Sequence, residues 1–179
     1  DSAPDGHTLL FTSSSSLVVT PHTTSVNFDP LTDLAPIILA VNISPALAVG
    51  NHLPAKSVPE LIAHAKQNPG KLTFASAGTG TYTHVTMQYF TRLAGVDMLH
   101  VPYKGSILAI TDLASGQVHI LCSAVPTLHA TMQSGKVRPL GVTSREPSKL
   151  APGVPTISAT MPGFDMDGWY GIIAPRGTP

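Results

Sequence analysis

Charge is scarce in this chain. Only 11% of its 179 residues are Asp, Glu, Lys or Arg, and ten basic side chains balance ten acidic ones. Soluble domains ordinarily carry about 25%. A nucleic-acid or anionic-membrane surface needs a basic surplus gathered on one face, so neither partner is expected. Cysteine is scarcer still. Cys122 stands alone, which excludes an internal disulfide framework and a cysteine-built zinc site. Long apolar runs are missing too. The best candidate, "LAPIILAVNISPALAVG" (34–50), is broken by Asn42, Ser44 and Pro45, short of the ~18 apolar residues of a membrane span. It reads as two short strands separated by a turn, in a chain not itself embedded in a membrane.

Two further absences concern the ends and the histidines. The opening "DSAPDG" has no Met, charged n-region or apolar h-region, and "APRGTP" closes the chain on a Pro/Gly boundary sequence. The expectation is a fragment from which any targeting segment is missing. Among the eight histidines, His64, His84, His100, His119 and His129 fall on separate elements. None has the i, i+4 or His-x-x-Glu-His spacing of a metal site, so no metal is expected.

What is present is alternation. The length suffices for one good core or two small lobes. "HTLLFTS" (7–13) has a β-like centre leading into four serines, Ser13 to Ser16, read as a linker or as a hydroxyl-lined loop or helix start. "SVPELIAHAKQNPG" (57–70) is the clearest helix, with Ser57 and Glu60 at capping-box spacing and Asn68-Pro69-Gly70 as its stop. Strands follow at 72–76, 98–102, 118–122 and 137–144, separated by helices over 83–93, 106–116 and 126–135. The helix over 83–93 is read with Val85, Tyr89 and Phe90 on one face and Gly95 as its cap. Pro139 argues that the strand over 137–144 is an edge or is bulged. Helix–strand alternation over 57–144 predicts a parallel sheet with helices on both faces. "REPSKLAPGVPTISATMPGFD" then reads as a crossing segment, and "GWYGIIAP" (168–175) as a returning strand.

In such a sheet, ligands gather beyond the carboxyl ends of the strands. Three loops fall there: Ala77–Thr83, Tyr103–Ser106 and Ser123–Pro126. The first combines amides freed by Gly78 and Gly80 with the hydroxyls of Thr79, Thr81 and Thr83, and it opens a helix whose positive end attracts anions. It contains no Lys or Arg. The phosphate loop requires Gly-Lys-Ser/Thr, whereas Gly80 is followed by Thr81-Tyr82, and the dinucleotide fingerprint lacks its third glycine. A carboxylate, satisfied by two to four aimed donors, fits this loop better.

"LPAKSVPELIAHAKQNPGKLTFASAGTGTYTH", "VDMLHVPYKGS", "ITDLASGQVHIL" and "GWYGIIAPRGTP" resemble the receptors of tripartite tricarboxylate transporters, the Bug/TctC-like periplasmic binding proteins. The likeness runs from "PDGHTLLFTSSS" to the last proline, and "HVPYKG" and "PGKLTFASAG" are its most specific pieces. It implies a type II periplasmic-binding fold: two α/β lobes with mainly parallel sheets, joined by crossing strands, closing on a small carboxylate for membrane transporter subunits. The first lobe would hold residues 1–54 and 164–179, and the second 55–163. The family's N-terminal strand and Pro-Gly-Gly loop have no counterpart here, so the first lobe would be incomplete.

By the same resemblance, Ser76, Ala77, Gly78, Thr79, Gly80, Thr81, Tyr82, Thr83 and His84 form a carboxylate clamp. Ser13 and Ser14 match a wall of the cleft, and Tyr103 and Lys104 its rim. Tyr82 stands where relatives have a smaller residue. Ser123 lies near a position where many have an aspartate that reads a ligand amine, which favours a plain acid here. The resemblance places the protein in the periplasm, with no cofactor and no catalytic residue. Two rivals stand beside this reading: a hydrolase using a Ser with His84, and a non-binding fragment that self-associates through its incomplete first lobe. No Gly-x-Ser-x-Gly elbow frames any of Ser13–Ser16.

Overall fold

The computed structural model describes residues 2–179; Asp1, where the expected first lobe begins, lies outside them. The strands are β1 (Leu10–Ser13), β2 (Leu34–Ile43), β3 (Pro45–Gly50), β4 (Thr73–Ser76), β5 (Leu99–Pro102), β6 (Ile120–Ala124), β7 (Val137–Val142) and β8 (Gly168–Pro175). The helices are α1 (Thr20–Thr23), α2 (Val58–Gln67), α3 (Tyr82–Ala94), α4 (Ser106–Ser115) and α5 (Val125–Gln133). Two units result, one of residues up to Ile43 with Gly168–Pro179, the other Ser44–Asp167.

The first unit is a three-stranded antiparallel sheet in the order β1-β8-β2. Its serine run is a helix start: a π-helical turn, Ser15–Val19, continues into α1. β2 is ten residues long rather than short. Its Ile37, Ile38 and Leu39 are each more than half exposed, although successive side chains point to opposite faces. Tyr170 of β8 stacks on Phe11 of β1, with ring centroids 5.6 Å apart.

The second unit is a five-stranded sheet in the order β5-β4-β6-β3-β7. β4 pairs in parallel with β5 and β6, while β3 runs antiparallel to both β6 and β7. Four strands therefore share one direction and β3 opposes them, so the sheet is mixed. β3 was expected in the first lobe, but its pairing with β6 and β7 makes it a strand of the second. Pro139 lies on β7 at the sheet edge, beside a register shift at Leu47/Ala48. An edge position needs no amide from it, and the bulge relieves its ring.

The period-two alternation of the strands sorts the core into two layers. Leu47, Val49, Phe74, Ile120 and Cys122 point to one face and pack with Leu61 and Ala65 of α2 and Met87, Phe90 and Ala94 of α3. Ala46, Ala48, Ala75 and Leu121 point to the other, against Ala109 and Leu113 of α4 and Leu128 of α5. The chain moves one way from β4 to β5 and back past β4 to β6, and crossovers of one hand then require α3 and α4 on opposite faces.

Local signals explain the helix ends. The Ser57 side chain accepts from the Glu60 amide at 3.3 Å, while the Glu60 carboxylate reaches one residue further back, to the Lys56 amide at 2.8 Å. Gly95 closes α3 in the left-handed conformation at φ 63°. The buried face of α3 is Thr86, Met87, Phe90, Thr91 and Ala94, which corrects the expected Val85–Tyr89–Phe90 face. Tyr89 is exposed because its position faces away from the sheet.

Candidate functional site

The parallel run of β4, β5 and β6 brings the starts of α3, α4 and α5 to one edge of the second unit. The positive ends of three helix dipoles therefore converge there. The loops after β4 and β5 are stitched together. The Tyr103 amide donates to the Ser76 carbonyl at 3.0 Å, and the Gly105 amide to the Ala77 carbonyl at 3.2 Å.

Within residues 76–84 the hydroxyls brace the loop. Thr81 Oγ1 donates to the Gly78 carbonyl at 2.6 Å and lies 3.1 Å from Thr83 Oγ1, which accepts from the Ala77 amide at 3.0 Å. The fully buried Ser76 Oγ takes the Gly78 amide at 3.1 Å. Gly78 has φ +137°, a conformation closed to side chains. Thr79 is exposed at the tip. The Gly80 amide donates to Nδ1 of His84 at 3.2 Å, which fixes a neutral ring with its proton on Nε2.

The first α3 bond runs from the Val85 amide to the Thr81 carbonyl at 3.0 Å. The amides of Tyr82, Thr83 and His84 precede it and have no acceptor among the described residues. They are the loop's available donors, in a stretch with no cationic side chain. Thr81, the cap residue, uses its hydroxyl on Gly78 instead of on the helix.

His84 stacks on His100 of β5 with ring centroids 4.0 Å apart, and His100 stacks on Phe74 at 4.9 Å. His100 Nε2 lies 2.7 Å from Ser76 Oγ. Ser76 Oγ also lies 3.1 Å from the Gly78 carbonyl, the second acceptor within reach of its one proton. Burial lowers the pKa of both imidazoles below the ordinary 6.5, and for His100 the neighbouring His84 lowers it further. Sequence reasoning missed His100. The signal was the pairing of Phe74 with His100 across β4 and β5, which puts both rings on the α3 face.

The other expected residues lie apart from this loop. Tyr103 donates its hydroxyl to Asp112 Oδ2 at 2.6 Å, and burial raises its pKa to about 12. Lys104 is exposed beside it. Ser123 is buried opposite Ala46, on the α4–α5 face, and so turns away from α3. In the first unit, Ser14 Oγ accepts from the Trp169 amide at 3.4 Å, and Ser13 lies 3.3 Å from Ser16. Ser13 lines a hollow of about 1110 Å³ with Phe11, Ser16, Tyr170 and Arg176. Among the described residues there is no group of three His, Cys, Asp or Glu side chains able to hold a metal, and no helix long and apolar enough to cross a membrane.

The family model described as the tripartite tricarboxylate transporter family receptor matches residues 1–179. A UPF0065 protein from the tcbD-tcbE intergenic region of Pseudomonas sp. strain P51 is 38% identical over 177 residues, covering 98% of this chain and 53% of its own length. The structure of R. palustris Rpa4515 with adipate matches with TM-score 0.86 at 32% identity, covering 99% of this chain and 60% of that one. MatC (Rpa3494) from Rhodopseudomonas palustris with bound malate gives 0.82 at 29% identity, with 99% and 61% covered. The chain spans about half the length of the curated relatives it matches.

Proposed function

Because the chain belongs to the tripartite tricarboxylate transporter receptor family, periplasmic solute-binding proteins of the type II α/β fold, we propose that it binds a small carboxylate as part of such a receptor. The acid would be a di- or tricarboxylate or an aromatic acid, passed on in the periplasm to membrane subunits of a tripartite transporter. The observation that carries this reading is the start of α3. Three amides without an acceptor among the described residues, Tyr82, Thr83 and His84, follow a loop braced by its own hydroxyls. Charge-assisted N–H···O⁻ bonds are roughly twice as strong as neutral ones, and they strengthen further where water is excluded. A carboxylate needs no more than this. Phosphate, with a larger charge, ordinarily recruits the Lys or Arg that the loop lacks. Adipate and malate, held by two similar proteins, are both dicarboxylates and support the same class.

The geometry also favours a receptor over a hydrolase. The serine nearest a histidine is Ser76, at 2.7 Å from His100, and its side chain is fully buried and occupied by Gly78. His84 spends Nδ1 on Gly80 instead of on a serine. Nucleophile, base and orienting acid are not aligned.

Titration calorimetry of the purified protein against succinate, malate, adipate, citrate, benzoate and inorganic phosphate tests the proposal. Heat from one or more acids and none from phosphate is expected. Binding of phosphate alone, or steady turnover of an activated ester, overturns it.

A further inference from the structure

Tyr82 is the first residue of α3, and its side chain crosses the carboxyl edge of the second unit. The phenol donates to the carbonyl of Met166. The Met166 amide donates in turn to the Thr143 carbonyl at 3.1 Å, just beyond β7, and the Thr143 amide to the Pro45 carbonyl at 2.9 Å, where β3 begins. One ring thus reaches from the start of α3, behind β4, to the ends of β3 and β7. Cys122 of β6 and Asp167 lie close to its hydroxyl. Burial beside these groups raises the phenol's pKa, so the hydroxyl stays protonated and the tether stays intact at physiological pH.

Two more hydroxyls flank the phenol. Thr86 Oγ1 and Thr143 Oγ1 approach it, yet both are buried and neither makes a hydrogen bond of good geometry among the described residues. Buried hydroxyls of native proteins are nearly always partnered. Here two of them line the volume that the ring fills.

We propose that Tyr82 is a specificity-determining residue that sets the size of the acid held at the α3 terminus, an inference that rests on the carboxylate reading above. An acid seated on the amides of Tyr82, Thr83 and His84 has its remaining atoms beyond the carboxyl edge. The tethered ring fills the lane over β6, β3 and β7. Slender acids fit, whereas branched or tricarboxylic acids meet the ring. A small residue at this position opens the lane and exposes Thr86 and Thr143 as partners for a hydroxyl or a further carboxylate. Sequence spacing could not show this, because the length of a tyrosine says nothing of where its hydroxyl is held.

Wild type, Tyr82→Phe and Tyr82→Ser are titrated calorimetrically with succinate and citrate, after circular dichroism has established folding. The wild type is expected to favour succinate at least tenfold. Tyr82→Ser should shift the citrate-to-succinate affinity ratio upward by about tenfold or more. Tyr82→Phe, which keeps the ring and loses the tether, should fall between them. A ratio within twofold of wild type in Tyr82→Ser overturns the size filter while leaving carboxylate binding intact. Binding of no acid by any of the three proteins overturns both. Citrate binding gained only in Tyr82→Ser supports the filter. Where Tyr82→Ser does not fold, a wild-type preference for citrate is itself sufficient to overturn the proposal.

Discussion

The Gly80 amide donates to Nδ1 of His84, one turn into α3, and that ring lies flat against His100 at 4.0 Å. Only an unprotonated Nδ1 can accept, so the fold of the loop is coupled to the charge of His84. Burial lowers the pKa of both imidazoles below 6.5. Above 6.5 the folded and unfolded chains are equally neutral and the pair has no pH-dependent effect. As pH falls below 6.5 the unfolded chain takes up protons first, so stability declines until the depressed folded pKa values are passed. The Gly80 amide resonance should titrate with His84 at a midpoint below 6.5. A Gly80 signal that stays flat while the His84 ring itself titrates would rule out the coupling.

Thr81 and Thr83 use their hydroxyls within the loop. Thr83→Val leaves the Ala77 amide without an acceptor, at a cost of about 1 kcal/mol in this half-buried setting. The expected results are a lower melting temperature and about fivefold weaker carboxylate binding. Thr81→Val should act in the same direction. A calorimetric affinity unchanged in both variants refutes a bracing role for the hydroxyls.

Thr143→Val should behave in the opposite way. Among the described residues its hydroxyl is buried with no hydrogen bond of good geometry, so an apolar isostere removes a desolvation cost and gives up only the approach to the Tyr82 phenol. Stability equal to wild type, or greater by about 1 kcal/mol, is expected in chemical denaturation. A loss of similar size means that the hydroxyl is engaged.

Gly171 sits in the central strand of the first unit's sheet. A Cβ there would lie 2.8 Å from the Ile38 carbonyl, on the neighbouring strand's backbone. Gly171→Ala must therefore push β2 and β8 apart, at a cost of about 2 kcal/mol. Hydrogen exchange should show faster amides in β2 and β8 and unchanged protection in the second unit. Uniform protection throughout contradicts this.

Helix placement was legible in the sequence because these boundaries carry local devices: Ser57 with Glu60, Asn68-Pro69-Gly70, Gly95 and Gly116. The unit to which the strand at 45–50 belongs was not legible, since "PALAVG" reads the same in either unit and only pairing with β6 and β7 decides. At the candidate site, glycine and hydroxyl composition marked the anion loop. The direction of those hydroxyls was hidden, because Thr83 serves an amide six residues earlier once the loop has folded back. His100 and the Met166 carbonyl escaped notice for the same reason. Each acts through a neighbour brought by register or by a long connection.

Cys122 lies on β6 with no exposure, and burial pushes its thiol up to about 12. Thiolate is the reactive form, so alkylation at neutral pH has to wait until β6 is uncovered. The labelling rate of this single sulfhydryl is then a direct clock for opening of the second unit, with no background from other thiols. Labelling about a thousandfold slower than for a free thiol is expected, accelerating in denaturant in step with unfolding. Rapid labelling of the native protein would show that the sheet opens without unfolding. A ligand bound at the start of α3 should slow the clock by the factor with which it stabilises this unit, so binding can be read from one sulfur atom without any labelled acid.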